Sequence, residues 1–287
     1  MVKLFELTEA CKLNTMDKEL ELKKLADYLR RNSLKLALGV GKSGSHLGGG
    51  LSLIEVFAAL YGGGMVHNSK DPKNENRDRL IVSKGHCVLP YYSVLSKFGF
   101  LTKEEIDAFE TNGALLHGHA TRYVEKGIEF SGGSLGLGIS YAIGVALACK
   151  LNNQKYHVFT IIGDGECNEG IVWEAVMSAS HYKLDNLTII VDNNKLQYDG
   201  NPEDVMNMGS LAEKFKVFGL HTLEINGHDV YEVYNAFTNR VKDKPNAIIA
   251  NTIKGKGVSF MEDKKEWHHS VLSQEQYDLA ISEQPIY

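Results

Sequence analysis

Asp164 stands between Gly163 and Gly165 at the end of a β-branched and aromatic run, and an amide pair, Asn193-Asn194, closes a second apolar run thirty residues on. A glycine turn that feeds a helix N-terminus is an anion site. Free N–H groups and the helix dipole face the ligand, and glycine carries no Cβ to keep it away. A carboxylate in such a turn repels a bare anion unless a hard divalent cation bridges the two. Magnesium takes one or two carboxylates, amide or carbonyl oxygens and phosphate oxygens, so Asp164 and the amide oxygen of Asn194 are candidate ligands. Histidines supply a second chemistry. His46, His86, His119 and His268 each lie in or beside glycine-rich or loop sequence, and a neutral imidazole hydrogen-bonds hydroxyls and moves protons near working pH. Taken singly, each is more often a surface or hydrogen-bonded core histidine.

These residues need rigid elements beneath them. His157–Ile162 reads as a strand, Gly163–Gly165 as a turn, and Ile171–Tyr182 as a helix with Val172, Ala175, Val176 and Ala179 on one face; Leu187–Val191 reads as a buried parallel strand. Neighbouring parallel strands bring their C-terminal ends together, where open α/β sheets bind ligands. Further along the chain, Asp17 to about Leu38 has leucines at helical spacing, and Gly39–Gly50 reads as a glycine loop around His46. Ser52 and Glu55 have the spacing of a capping box for a helix reaching about Tyr61. Leu80–Ser83 reads as a strand ending at Lys84-Gly85-His86, followed by a helix over Val88–Phe98. His117–Gly138 is a second glycine and histidine loop, and Leu137–Lys150 a helix of small residues. His221–Ile225 and Ala247–Thr252 read as strands flanking a helix from about Asp229 to Val241. Strand and helix alternate, which argues an α/β, doubly wound, mainly parallel sheet with helices on both faces. A single domain over residues 1–287, with an N-terminal helical segment over about 1–40, is the simplest partition.

Composition narrows the class. A net charge of −5 gives no basic face for nucleic acid, and no apolar run approaches the roughly 20 residues of a membrane span. Twenty-eight glycines against five prolines suit glycine turns. Cys11, Cys87, Cys149 and Cys167 show no CxxC spacing and read as idle thiols in a reducing cytosol. The first residues lack a signal-peptide pattern, so a cytoplasmic location is expected.

The Gly163-Asp164-Gly165 turn with Asn193-Asn194 resembles the magnesium and thiamine diphosphate motif. A dinucleotide fingerprint would need a third glycine where Asn168 stands, and the turn lacks the Gly-Lys-Ser/Thr of a Walker A loop. Four further blocks occur in the order of the transketolase family. They are the His46 loop, Arg77 through Ser83-Lys84-Gly85-His86, Gly118-His119 with Gly133-Ser134-Leu135-Gly136-Leu137-Gly138, and Lys254-Gly255-Lys256-Gly257 with Trp267-His268. The chain resembles the N-terminal, diphosphate-binding half of a transketolase. The capped helix in Ser273–Tyr287 reads as a finished end, so a natural two-chain enzyme is expected rather than a piece of a longer chain.

The resemblance implies Asp164, Asn194 and the Leu196 carbonyl as metal ligands, for Mg2+ or for Ca2+ or Mn2+ in its place. It puts Gly133, Leu135, Asp164, Gly165, Glu166, Asn194, His86 and His268 at thiamine diphosphate. His46, His86, His119, His268 and Glu169 are the implied catalytic set, with Glu169 and Glu174 in a carboxylate network between paired sites. The implied activity moves a two-carbon ketol unit from a ketose to an aldose. The implied partner is a C-terminal transketolase subunit carrying the pyrimidine-binding half, in an α2β2 assembly. Other enzymes share the motif, namely the E1 α subunit of 2-oxoacid dehydrogenases and deoxyxylulose-phosphate synthase, and a non-catalytic cofactor-binding subunit is a further alternative. The family's Gly-His-Pro reads Ser45-His46-Leu47 here, Ala120 follows His119, and Ser134 stands where proline is common. These loops border the substrate channel and leave the ketose open, with branched or sulfonated sugars among the candidates.

Overall fold

Along each inner strand, side chains alternate between two apolar layers, and that alternation sets the architecture. The structure, a computed structural model, describes the backbone of residues 2–285 and the side chains from residue 15 onward. Among the described residues, β1 (Arg79–Val82), β2 (Val158–Gly163), β3 (Leu187–Asn193), β4 (His221–Asn226) and β5 (Asn246–Asn251) form one wholly parallel sheet in the order β1-β2-β3-β5-β4. Phe159 and Ile161 of β2, Ile190 of β3, and Ile248 and Ala250 of β5 enter one layer. Val158 and Ile162, Ile189 and Val191, and Ala247 and Ile249 enter the other. A fully buried aliphatic or aromatic side chain contributes roughly 1.5–3 kcal/mol. Stability therefore resides in the strand bodies, which leaves the strand ends free to carry polar groups.

The first layer is covered by α1 (Val2–Val40), α2 (Gly48–Leu51), α3 (Ile54–Ala59), α4 (Val88–Lys97) and α5 (Lys103–Asp107). The second is covered by α6 (Leu137–Leu151) and α7 (Gly170–His181). Beyond β3 the chain forms α8 (Pro202–Met206) and α9 (Leu211–Val217), which adds to the second layer; α10 (Val230–Ala236) and α11 (Gln274–Ser282) return to the first. This is the doubly wound α/β fold expected from the strand and helix order.

Several local expectations are corrected. Ser52 and Glu55 do not cap a helix. α3 starts after Leu53 with no side-chain cap, the Ser52 hydroxyl donates to Asp192 and Gly49, and Glu55 pairs with Arg30. Burial beside stronger partners outcompetes the local motif. The glycine stretch 39–50 is not all loop, because α1 runs to Val40 and Gly48–Gly50 are helical. α10 stops at Ala236, well short of Val241. The capping boxes at Thr102/Glu105 and Ser273/Gln276 form fully. Cys87, Cys149 and Cys167 are buried free thiols, and Cys11 lies outside the described side chains.

Candidate functional site

Four strand ends and three loops, carrying His46, then His119 with Gly133 and Leu135, and His268, meet in a cavity of about 330 Å3. The chain leaving β1 brings Lys84 and His86, the chain leaving β2 brings Asp164, Gly165 and Glu166, and the chain leaving β3 brings Asn194 and Leu196. Lys254 arrives from beyond β5. His46 and His268 come from opposite parts of the sequence. They are held together by an antiparallel bridge in which Ser45 N donates to Ser270 O at 2.9 Å and Ser270 N to Ser45 O at 3.0 Å. A larger cavity of about 500 Å3 lies beside the ends of β3, β5 and β4 and shares Asp164, but it contains none of the histidines. The smaller cavity is the one with convergent chemistry.

Glycine permits the close approaches. A Cβ on Gly85 would lie 2.6 Å from Gly132 Cα and 2.8 Å from Gly133 N, so the His86 and Gly133 loops touch backbone to backbone. Glu166, 2% exposed, bolts this corner together. Its carboxylate accepts from the Ser83 hydroxyl, from Gly136 N at 2.7 Å and from Gly163 N at 3.1 Å.

At the cavity floor is a buried ion pair. The Lys84 ammonium donates to Asp192 and to Gly49 O. Asp192 also accepts from Ser52, Thr252 and Asn194 Nδ2. Burial works against both charges, but each outweighs it for the other, so the Asp192 carboxyl lies below and the Lys84 ammonium above its ordinary value. Asp164 has no such partner. Burial, then repulsion from Asp192, pushes its carboxyl up to about 6, although Gly165 N and Lys195 N donate to its two oxygens at 2.7 and 2.6 Å. Lys254, 1% exposed, reaches Leu196 O at 2.8 Å and His268 Nδ1 at 3.0 Å. Its pKa is lowered to about 8 by burial and by Lys84.

Around this floor stand the imidazoles. His46 has ring centroids of His86, His119, His268 and His269 at 5.3, 5.1, 5.5 and 4.6 Å. Burial, then the neighbouring imidazoles and Lys84, lowers the His46 pKa to about 3. Burial and Lys254 lower that of His268 to about 4, and burial and Lys84 hold His86 well below the usual value. These three are neutral hydrogen-bonding groups at neutral pH.

The residues fit a diphosphate carried with a divalent cation. The Asp164 carboxylate, the Asn194 amide oxygen and the Leu196 carbonyl are hard oxygens of the kind magnesium takes; Lys195 N donates to Asp164 at 2.6 Å and Leu196 N to Asn194 Oδ1 at 3.1 Å, folding the three together. Among the described residues no cluster of three or more His, Cys, Asp or Glu side chains could hold a metal, so a cation here would rest on mixed oxygens. Two ammonium groups face the same space. Gln197 Nε2, buried and partnerless within the described chain, belongs to a cavity-lining side chain and is a spare donor for a phosphate oxygen.

Of the residues singled out from sequence, His46, His86, His119, His268, Gly133, Leu135, Asp164, Gly165, Glu166, Asn194 and Leu196 all line this cavity. Glu169 and Glu174 do not; both are exposed on the α7 side. Sequence reasoning missed Lys84, Lys254, Asp192 and His269 as site residues. A signal existed for the first and third, each being a charged residue at the C-terminal end of a buried apolar run.

Residues 23–283 match the family described as transketolase, thiamine diphosphate binding domain. The chain belongs to the transketolase family. Its relatives include one of the subunits of the apulose-4-phosphate transketolase of Phocaeicola vulgatus, 41% identical over 83% of this chain and 85% of that protein. The 6-deoxy-6-sulfo-D-fructose transketolase subunit SqwG of Clostridium sp. is 38% identical over 93% of this chain and 97% of that protein. Human transketolase is 35% identical over 91% of this chain but only 42% of its own length. Among solved structures, transketolase from Campylobacter jejuni superposes with a TM-score of 0.81 at 30% identity, covering 92% of this chain and 42% of that one. This transketolase chain thus spans about two fifths of the full-length enzymes and most of the length of the two bacterial subunits. No described helix is long and apolar enough to cross a membrane.

Proposed function

We propose that this transketolase chain is the diphosphate-binding subunit of a two-chain enzyme that transfers a two-carbon ketol unit from an anionic ketose to an aldose. The observation that carries the reading is the convergence, in one cavity, of three hard oxygens, two ammonium groups and four imidazoles. Asp164, Asn194 and the Leu196 carbonyl hold Mg2+, with Ca2+ or Mn2+ as substitutes. Lys254 offsets part of the diphosphate charge, Lys84 stands below it on Asp192, and Gly133, Leu135, Gly165, Glu166, His86 and His268 border the cofactor. When bound, thiamine diphosphate supplies the centre that stabilises the two-carbon carbanion. The chain's own task is to orient the sugar and move protons. His46 and His119 hydrogen-bond sugar hydroxyls, and His268, neutral and supported at Nδ1 by Lys254, presents Nε2 toward a hydroxyl or alkoxide. Glu169 and Glu174 lie on an outer face suited to a carboxylate link between paired sites. Leu135 at 42% exposure and the exposed His119 leave the cavity rim open, as a second subunit carrying the pyrimidine-binding half would require. An α2β2 assembly follows from pairing two such sites.

The test is a donor screen on the chain co-expressed with its candidate second subunit. Apulose 4-phosphate and 6-deoxy-6-sulfo-D-fructose, the ketoses in the relatives' names, come first. Thiamine diphosphate with magnesium is expected to raise the melting temperature and chelator to abolish the rise. A pair that binds cofactor yet transfers no two-carbon unit from any ketose overturns the reading.

A further inference from the structure

His228 lies outside the cofactor cavity, in the loop between β4 and α10, where it borders a separate cavity of about 340 Å3 with Arg30 and Glu55. Its ring is fully engaged. Nε2 accepts from the backbone N–H of Ile253 at 2.8 Å, and Nδ1 is 3.1 Å from Glu55 Oε2. A backbone N–H only donates, so Nε2 carries no proton, and the ring proton sits on Nδ1 facing the carboxylate. The other Glu55 oxygen takes Arg30 Nη2 at 2.5 Å, and Arg30 Nε donates to Lys256 O at 3.2 Å. The side chains of Arg30 and Glu55 are each 9% exposed and that of His228 13%.

The two backbone groups this triad holds, Ile253 N and Lys256 O, flank Lys254. A third tie lies between them, Gly255 N donating to Gly48 O at 2.9 Å. Arg30 is packed so closely that a Cβ on Gly257 would fall 2.6 Å from Arg30 Nε. The segment is therefore pinned on both sides of Lys254, the residue that it contributes to the lining of the cofactor cavity.

We propose that His228, oriented by Glu55 and Arg30, is a positioning residue that sets where the Lys254 ammonium stands against the cofactor's diphosphate. This rests on the functional reading above. Without the Nε2 acceptor, Ile253 N–H loses its partner in a half-buried position, the segment shifts to find another, and the ammonium moves off its station. Because charge attraction is steep at contact distance in a low-dielectric cavity, a displacement of about 1 Å suffices to weaken binding.

The experiment is a double-mutant cycle on the full chain with its partner, reading thiamine diphosphate affinity by calorimetry at saturating magnesium. Lys254→Met and His228→Ala are each expected to weaken binding by roughly tenfold or more. In the Lys254→Met background, His228→Ala is expected to add little, because its effect runs through the missing ammonium. His228→Asn, which keeps a donor and an acceptor, is expected to recover most of the affinity. If wild type binds the cofactor but the two losses multiply, or His228→Ala lowers only the melting temperature, the positioning role is wrong and the functional reading stands. If wild type binds no thiamine diphosphate, both fall.

Discussion

Replacing Asp164 with Asn separates a cation site from an ordinary buried carboxylate, because the two predict opposite signs for stability. The Asp164 carboxyl is raised from 3.8 to about 6 by burial and by Asp192, which at about 1.4 kcal/mol per pH unit is roughly 3 kcal/mol against the ionised form. Asn removes the charge and recovers that cost. It also loses one acceptor, so either Gly165 N–H or Lys195 N–H goes unpaired, at roughly 1–3 kcal/mol. The balance lies between about zero and 2 kcal/mol in favour of the variant, or a melting temperature unchanged or up by a few degrees in ligand-free buffer. The pH dependence has a definite sign. A carboxyl raised in the fold costs stability above its folded value, and the cost is relieved as protons bind between pH 6 and 3.8. The advantage of Asp164→Asn is therefore full above about pH 6 and gone near 3.8. With ligand the order reverses. Wild type at 100 times its dissociation constant is expected to gain about 2.7 kcal/mol from cofactor and magnesium, and the variant almost none. Differential scanning fluorimetry over pH and ligand reads both. A ligand-free drop of more than about 5 °C, or a magnesium-dependent shift that survives the substitution, refutes the reasoning.

Other outcomes follow from single contacts. Gly85→Ala forces apart backbones that a Cβ would meet at 2.6 Å; it is expected to cost roughly 1–3 kcal/mol in urea unfolding and to weaken cofactor binding as well. Gly144→Ala, with nothing within 4 Å of the added Cβ and a place inside α6, is expected to stabilise by up to about 1 kcal/mol and leave binding alone. Lys84→Met strands the Asp192 charge and is expected to cost roughly 3–5 kcal/mol, with Asp192→Asn in the same chain restoring most of it. His157, held at about 3 by burial and by Arg240, stays neutral in the fold while the unfolded chain takes a proton below about 6.5. Stability is thus lost as pH falls from 6.5 toward 3, by up to about 1.4 kcal/mol per pH unit. His157→Gln is expected to flatten that slope; stability curves that stay parallel would count against it.

The parts of the site that were legible in the sequence are those written in short stretches. The Gly163–Gly165 turn declares itself through residue type, and Asn194 through its place after a buried run. The histidines were visible as a set, because His46, His86 and His119 lie beside glycines that announce a close approach and His268 lies in the Trp267-His268 block. What the sequence hid is pairing over distance. Lys84 and Asp192 are 108 positions apart, and nothing local to either says that they cancel each other. Ser52 shows the same effect in reverse, since its spacing to Glu55 matches a cap but a carboxylate 140 positions away takes its hydroxyl. The Leu196 carbonyl is a backbone atom and was reached only through family resemblance. His269 went unnoticed because its place against His46 depends on the Ser45–Ser270 bridge, which no periodicity encodes.

That bridge has a consequence for how the molecule is made. Ser45 and Ser270 are more than two hundred residues apart, so His268 and His269 join His46 only once the intervening strands and helices have brought the two segments together.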